Sequence, residues 1–337
     1  MVFETLFWRV LMRKEKNPPC SLILTTILAI FFVTILTQAL GQKTRAIAFY
    51  NVENLFDTID GPNDDAEFLP NAKNEWNSFK YEEKLSHIRE VLLAMGKPLI
   101  CGFSEVENAQ VVRAIIAKQR DFKNYGALHT ESPDARGIDV AMIYDSSKLK
   151  LLAYSQLRFI LPGETKATTR DILWAQFKSK KQVFYVMVNH WPSRRGGTNE
   201  SDVKRVAAAK IACQFIDSVK KANGLPIVLL GDLNDYPENA GPKLLDERLD
   251  PMITTASGPT KGTHYYNNEW GILDHIYVSP NFIGTKKGVL KNSGMIHNFP
   301  FLMEEYKGVI QPKRTYGGAK YLGGYSDHLP VSIQLRL

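Results

Sequence analysis

Short apolar runs rich in β-branched residues recur along most of the chain, and nearly every one meets a polar residue at its end. Arg45–Tyr50 leads into Asn51, Pro98–Phe103 into Ser104-Glu105, Val183–Val188 into Asn189-His190, and Ile227–Leu230 into Gly231-Asp232. Ile272–Val278 contains Asp274, and Leu329–Leu335 follows Asp327-His328. Runs of this length bounded by turn formers predict buried strands. Ile138–Tyr144 is another, and residues 137–188 read as consecutive strands with turns at Asp145-Ser146-Ser147 and Leu161-Pro162-Gly163. Helical spacing occurs in three places. Tyr81–Met95 puts Leu85, Ile88, Leu92 and Met95 on one face, Asp202–Val219 does so with Val206, Ala209, Cys213 and Ile216, and the shorter Asn108–Lys118 carries Val111, Val112, Ile115 and Ile116.

Strands outnumber helices and do not alternate with them regularly. The pattern predicts a mixed α/β (α+β) sandwich with helices outside packed sheets, not a doubly wound fold. Polar motifs recur from residue 51 to residue 328 without a repeat or linker, so residues 42–337 are predicted to form one domain. The acidic stretch Asp57–Asn77 lacks the ligand spacing of a calcium loop and reads as a solvated surface loop.

The first forty residues differ in kind. Arg9, Arg13, Lys14 and Lys16 precede an apolar run, Leu22–Leu36, and small residues follow at Ala39 and Gly41. This is the layout of a secretory signal peptide over residues 1–41, with cleavage after Ala39 or Gly41; the competing reading is a membrane anchor over residues 22–40. Met12 is an alternative start. Either reading exports the remainder, to the periplasm or outside the cell. Cys101 and Cys213 then remain, one at a strand and one on a helix face, and are expected as buried free thiols. Without residues 1–41 the net charge falls from +7 to +5, 38 basic against 33 acidic residues, which favours an anionic partner only weakly, and 44% hydrophobic residues suffice for a full core.

The strand-end residues carry the chemistry. Gly231 lets the backbone turn so that Asp232 and Asn234 project together, although an Asp there is also a turn former. Glu105 is placed by its surroundings at a helix N-terminus, where the dipole favours a carboxylate. Glu105, Asn51 and Asp327 are oxygen donors suited to a hard divalent cation if the fold assembles them. His190 and His328, beside Asn189 and Asp327, suit phosphoryl chemistry, in which an imidazolium stabilises charge on phosphorus, and Asp274 is a natural orienting partner for one of them. Arg136, Arg170 and Arg194 are the guanidiniums expected around a phosphodiester. His264, Tyr265, Tyr266 and Trp270 are rings that would either stack on an unpaired base or pack into the core.

Asn51, Glu105, His190, Asp232 with Asn234, Asp274 and Asp327-His328 follow one another in an order and spacing that resembles the endonuclease/exonuclease/phosphatase superfamily. Tyr50-Asn51-Val52-Glu53-Asn54-Leu55-Phe56-Asp57, Arg136-Gly137-Ile138-Asp139, Thr169-Arg170-Asp171 and His190-Trp191-Pro192 are similar to a bacterial exported branch of it. The resemblance covers nearly all of residues 44–337. It implies the deoxyribonuclease-I-like four-layer α/β/β/α sandwich, with Mg²⁺ or Mn²⁺ as cofactor. Carried over by motif, Glu105, Asn51 and Asp327 would hold the metal, Asp232 would activate water, and Asn234 and His190 would bind phosphate oxygens. His328, held by Asp274, would stabilise the transition state.

These expectations describe a metal-dependent phosphodiesterase, foremost an exported endonuclease acting on nucleic acid. A phospholipid (sphingomyelinase-like) or inositol-phosphate hydrolase on the same fold is the alternative; the loops at 57–79 and 191–201 are polar, which favours nucleic acid over a membrane surface. A non-catalytic binding module would have lost one of Glu105, Asp232 and His328, and all three are present. No stable protein partner is indicated, and a membrane is a partner only if the N-terminal segment stays uncleaved.

Overall fold

The computed structural model describes residues 44–194, 198–284 and 287–337, so the signal-peptide and anchor readings of residues 1–41 lie outside the described residues. The strands in chain order are β1 (Thr44–Leu55), β2 (Ile100–Val106), β3 (Tyr125–His129), β4 (Asp139–Asp145), β5 (Lys150–Leu157), β6 (Ile172–Ser179), β7 (Gln182–His190), β8 (Ile227–Asp232) and β9 (Asp250–Pro251). There follow β10 (His264–Tyr266), β11 (Glu269–Gly271), β12 (Asp274–Val278), β13 (Gly288–Val289), β14 (Met295–Ile296), β15 (Met303–Tyr306), β16 (Val309–Pro312), β17 (Tyr316–Gly317), β18 (Lys320–Tyr321) and β19 (Val331–Arg336). The helices are α1 (Ser78–Ala94), α2 (Ala109–Ile116), α3 (Thr198–Ala222) and α4 (Ala240–Asp246).

One sheet runs β13-β19-β1-β2-β4-β3, with β14 also paired to β19, and the other runs β5-β6-β7-β8-β12-β9. Each contains one parallel pair at its centre, β1 with β2 and β7 with β8. Parallel neighbours need a long crossover, and α1 and α3 lie within those two connections. The alternation of side chains along each strand then feeds two cores. In β8, Val228 and Leu230 enter the core shared with the first sheet, whereas Ile227 and Leu229 meet Ala209, Ala212 and Ile216 of α3. Burial on both faces is why this strand reads as a continuous apolar run. Val111, Val112 and Ile115 of α2 and Leu85, Ile88 and Leu92 of α1 belong to the core of the first sheet. The chain is a four-layer α/β/β/α sandwich.

The sheets approach closely at Gly102. A Cβ there would sit 2.3 Å from Leu230 Cδ1 and 3.1 Å from Val188 Cγ2, so no larger residue fits without moving the Leu230 side chain of the opposing sheet. Cys101 and Cys213 are buried free thiols, as expected.

Four local expectations are corrected. The stretch 57–77 is not simply solvated: Asp65 is buried and accepts the Gly61 N–H, and Trp76, fully buried, packs with Phe56 and Ile138. Aromatic residues near both ends of the stretch outweigh its acidic composition. Glu105 does not stand at a helix N-terminus, because β2 continues through it to Val106 and Asn108 caps α2. Gly231 makes no turn; it lies within β8, where a Cβ would meet Asn189 O at 2.2 Å. On α3 it is Arg205, fully buried against Asp235 at 3.0 Å, that takes the inner face, and Val206 is only partly buried.

Candidate active site

Strand parity carries the polar groups to one rim of the inter-sheet layer. Val186 and Val188 of β7, Val228 and Leu230 of β8, and Ile276 and Val278 of β12 face the first sheet, and the same parity extends to His190, Asp232 and Asp274. The register sets these three abreast, His190 opposite Asp232 and Asp232 opposite Asp274. From the first sheet, Asn51 Nδ2 donates to Asp232 Oδ2 at 3.0 Å and so bridges the layers. Asn234 N donates to Asp232 Oδ1 at 2.9 Å, so the turn-forming and chemical roles of this carboxylate coexist. His328, just ahead of β19, donates from Nδ1 to Asp274 Oδ2 at 2.8 Å, and its Nε2 lies 3.9 Å from Asp232 Oδ2. His190 Nε2 is 3.7 Å from that same oxygen.

The two imidazoles differ in charge. Burial alone would lower the pKa of His328, but the carboxylates of Asp274 and Asp232 outweigh it and hold the ring well above the usual histidine range. His190 is held well below that range by burial, then by Arg170 and Arg136, and is neutral. Asp232 is pushed up to about 7, chiefly by burial, with His328 opposing. A carboxylate poised near neutrality thus faces one cationic and one neutral ring.

The other end of the site is built on irregular backbone. Glu105 has φ +61° where the β2–β4 register shifts between Ser104 and Val106, and Glu53 and Asn54 have φ +49° and +60° where the β1–β2 register shifts between Asn51 and Leu55. Such bulges re-aim side chains at the cost of backbone strain. Glu105 is half-buried and receives no hydrogen bond from the described residues, although its charge acts on Lys84 and Arg314. Glu53 is buried: its Oε1 accepts from Arg314 Nε and Nη2, both at 3.2 Å, and its Oε2 from Thr315 N at 2.6 Å. Arg314 Nη2 also donates to Asp327 Oδ2 at 3.0 Å.

By type, the donors suit a hard divalent cation. Glu105 is unengaged among the described residues, Asp327 is hydrogen-bonded through only one oxygen, and Asn51 Oδ1 accepts a single bond, from Glu53 N at 2.9 Å. All three are oxygen ligands of the kind Mg²⁺ and Mn²⁺ prefer. His328 also lies within 4.8 Å of donor atoms of Asp327 and His264, with its Nδ1 engaged by Asp274 Oδ2.

The three arginines divide. Arg136 is exposed, donates to Asn54 Oδ1 at 2.9 Å and is close enough to depress His190. Arg194 stacks on Tyr236, its guanidinium carbon 4.3 Å from the ring centre, two residues beyond Asn234. Arg170 is buried and already committed, to Asp134 Oδ2 and to Trp191 O, both at 2.8 Å. As Asn234 Nδ2 donates to the same Trp191 carbonyl at 3.1 Å, Arg170 supports the site from behind and does not present a free fork to substrate. Of the aromatic segment, Tyr265 pairs with Trp270 across the β10–β11 hairpin, and His264 packs on His328 with ring centres 4.7 Å apart. His264, Lys84 and Arg314 were not singled out as chemical groups from the sequence, and Glu53 only as part of a motif; none is marked by spacing.

A sequence profile described as Endonuclease/Exonuclease/phosphatase family matches residues 46–337. The chain belongs to that family. It is accordingly a metal-dependent phosphoester hydrolase. Solved members of the fold resemble it at low sequence identity. The catalytic domain of human Nocturnin with bound sulfate superposes with a TM-score of 0.53 at 17% identity, covering 86% of this chain and 93% of that one. A mannosyl-6-phosphatase of Bacteroides thetaiotaomicron gives 0.54 at 15%, covering 87% and 100%. D. rerio TDP2 complexed with a single-strand DNA product gives 0.52 at 15%, covering 88% and 100%. Comparison with curated protein sequences gives no match.

Proposed function

We propose that this family member is an exported endonuclease that hydrolyses nucleic-acid phosphodiester bonds by in-line attack of water. The observation that carries the chemistry is the convergence of His190, His328 and Asn51 on Asp232 Oδ2, at 3.7, 3.9 and 3.0 Å. Asp232, near neutrality in its pKa, accepts a proton from the attacking water at physiological pH. As the water oxygen bonds to phosphorus the opposite P–O bond breaks, and His328, kept cationic by Asp274, stabilises the charge gathering on the phosphoryl oxygens. Neutral His190 and the Asn234 carboxamide hydrogen-bond the non-bridging oxygens. Glu105, Asp327 and Asn51 would hold Mg²⁺ or Mn²⁺, which in such sites neutralises the phosphodiester and the leaving oxygen. Arg136, exposed and bonded to Asn54 through Nη2, and Arg194, stacked by one face on Tyr236, support a polyanionic substrate over an isolated small ester. Export is supported by the basic, apolar and small-residue order of residues 1–41.

The test is a panel of single-stranded and double-stranded DNA, RNA, sphingomyelin vesicles, an inositol phosphate and a sugar 6-phosphate, each with Mg²⁺ and with excess chelator. Nucleic-acid cleavage that chelator abolishes, and that Glu105→Gln restores only at higher metal concentration, is expected. Turnover confined to the lipid or monoester arms would overturn the nuclease reading, and full activity in chelator would remove the metal from it.

A further inference from the structure

We propose that Arg314 and Lys84 together take the place of a second divalent cation at the Glu53 end of the site, so that the chain binds a single ion, against Glu105 and Asp327. This rests on the metal site proposed above. Three carboxylates, Glu53, Glu105 and Asp327, act on both of these cations, which is the acidity expected where two ions bind. They are not equally available. Both oxygens of Glu53 already accept N–H bonds, three in all, from Arg314 Nε, Arg314 Nη2 and Thr315 N. An ion ligated by Glu53 would have to displace that guanidinium. Arg314 Nη2 contacts Glu53 Oε1 and Asp327 Oδ2 at once, at 3.2 and 3.0 Å, the bridging position an ion shared by two carboxylates would occupy.

Lys84 supplies the second charge from below. Its ammonium is fully buried, donates to Thr315 Oγ1 at 2.5 Å and Tyr325 O at 2.6 Å, and reaches no carboxylate directly among the described residues. A lysine buried without a direct ion pair is rare and costly. Its charge is sustained by Glu53 first, then Asp327 and Glu105, against burial that lowers its pKa to about 8. The two cations arrive from distant parts of the chain, Lys84 from α1 and Arg314 from the segment between β16 and β17, and both act on the same three carboxylates. Of the three, Glu105 alone receives no hydrogen bond from the described residues, which leaves its carboxylate open to an ion.

A purely structural role, tying down residues 313–326, would make the same contacts, so the experiment reads stoichiometry. Mn²⁺ binding to the purified protein, measured by electron paramagnetic resonance of the free ion and by calorimetry without substrate, is expected to saturate at one ion per chain. Arg314→Met is expected to bind two, and Arg314→Lys, which restores the charge, one. Glu53→Gln should leave the first affinity within about threefold, whereas Glu105→Gln should weaken it by about tenfold or more, as loss of a ligand does. Two ions on the wild type, one ion on folded Arg314→Met, or a tenfold loss on Glu53→Gln would each overturn the proposal. No ion on the wild type would instead sink the metal site itself. Because the wild-type count and Glu53→Gln are read independently, failure of Arg314→Met to fold leaves the idea open to refutation.

Discussion

Replacing Asp274 with Asn removes one negative charge from a buried pair while preserving its shape. Asp274 is fully buried, and its Oδ2 accepts from His328 Nδ1 at 2.8 Å. Two unit charges centred about 4 Å apart at an effective dielectric constant of about 20 interact by ~4 kcal/mol. That loss lowers the His328 pKa, because the burial that opposes its charge remains. The ring in Asp274→Asn therefore loses its proton at lower pH than in the wild type, and kcat at pH 8 should fall by ~10²–10³, the cost of one transition-state electrostatic group, with KM little changed. The alkaline limb of the pH–kcat profile should move to lower pH, so that activity recovers in part at pH 6. Stability follows the same linkage. A folded pKa raised above the unfolded value stabilises the fold fully below about pH 6.5 and loses that contribution as pH rises through the folded value. The deficit of the variant in thermal melts should therefore be larger at pH 5 than at pH 9. A kcat at pH 8 within threefold of wild type, with an unmoved alkaline limb, would refute the assignment of His328 as a cation maintained by Asp274.

Asp232→Asn and His328→Ala should each lower kcat by ~10² or more while melting still above the assay temperature, and the double variant should lose less than the product of the two, because the groups act as a unit; near-normal turnover in either single variant contradicts this. Gly102→Ala places a Cβ 2.3 Å from Leu230 Cδ1 and should cost ~1–3 kcal/mol by overpacking, seen as a lower Tm; an unchanged melt would show that the sheets are not in close contact there. Intact mass of exported protein should begin after Ala39 or Gly41, and recovery of the full-length chain in membranes would instead establish the anchor.

The sequence by itself determined the layers and the order of the chemical groups. Local periodicity decides whether a segment buries one face or two, and that sufficed for β1, β2, β7, β8, β12 and β19 and for helices α1, α2 and α3. The short strands from Asp250 to Tyr321 escaped it, since pairs of two to four residues carry no period. The chemistry of individual groups was settled only by tertiary contacts. His190 and His328 are the same residue type at comparable places in the sequence; one is held low by burial first and then by Arg170 and Arg136, the other is kept cationic against its burial by Asp274 and Asp232. Glu105 points as it does through a register shift that no composition announces. Arg314 meets Glu53, and Lys84 meets Thr315, across separations of 261 and 231 residues, and a buried charge owes its state to the neighbours the fold supplies, which spacing along a chain does not encode.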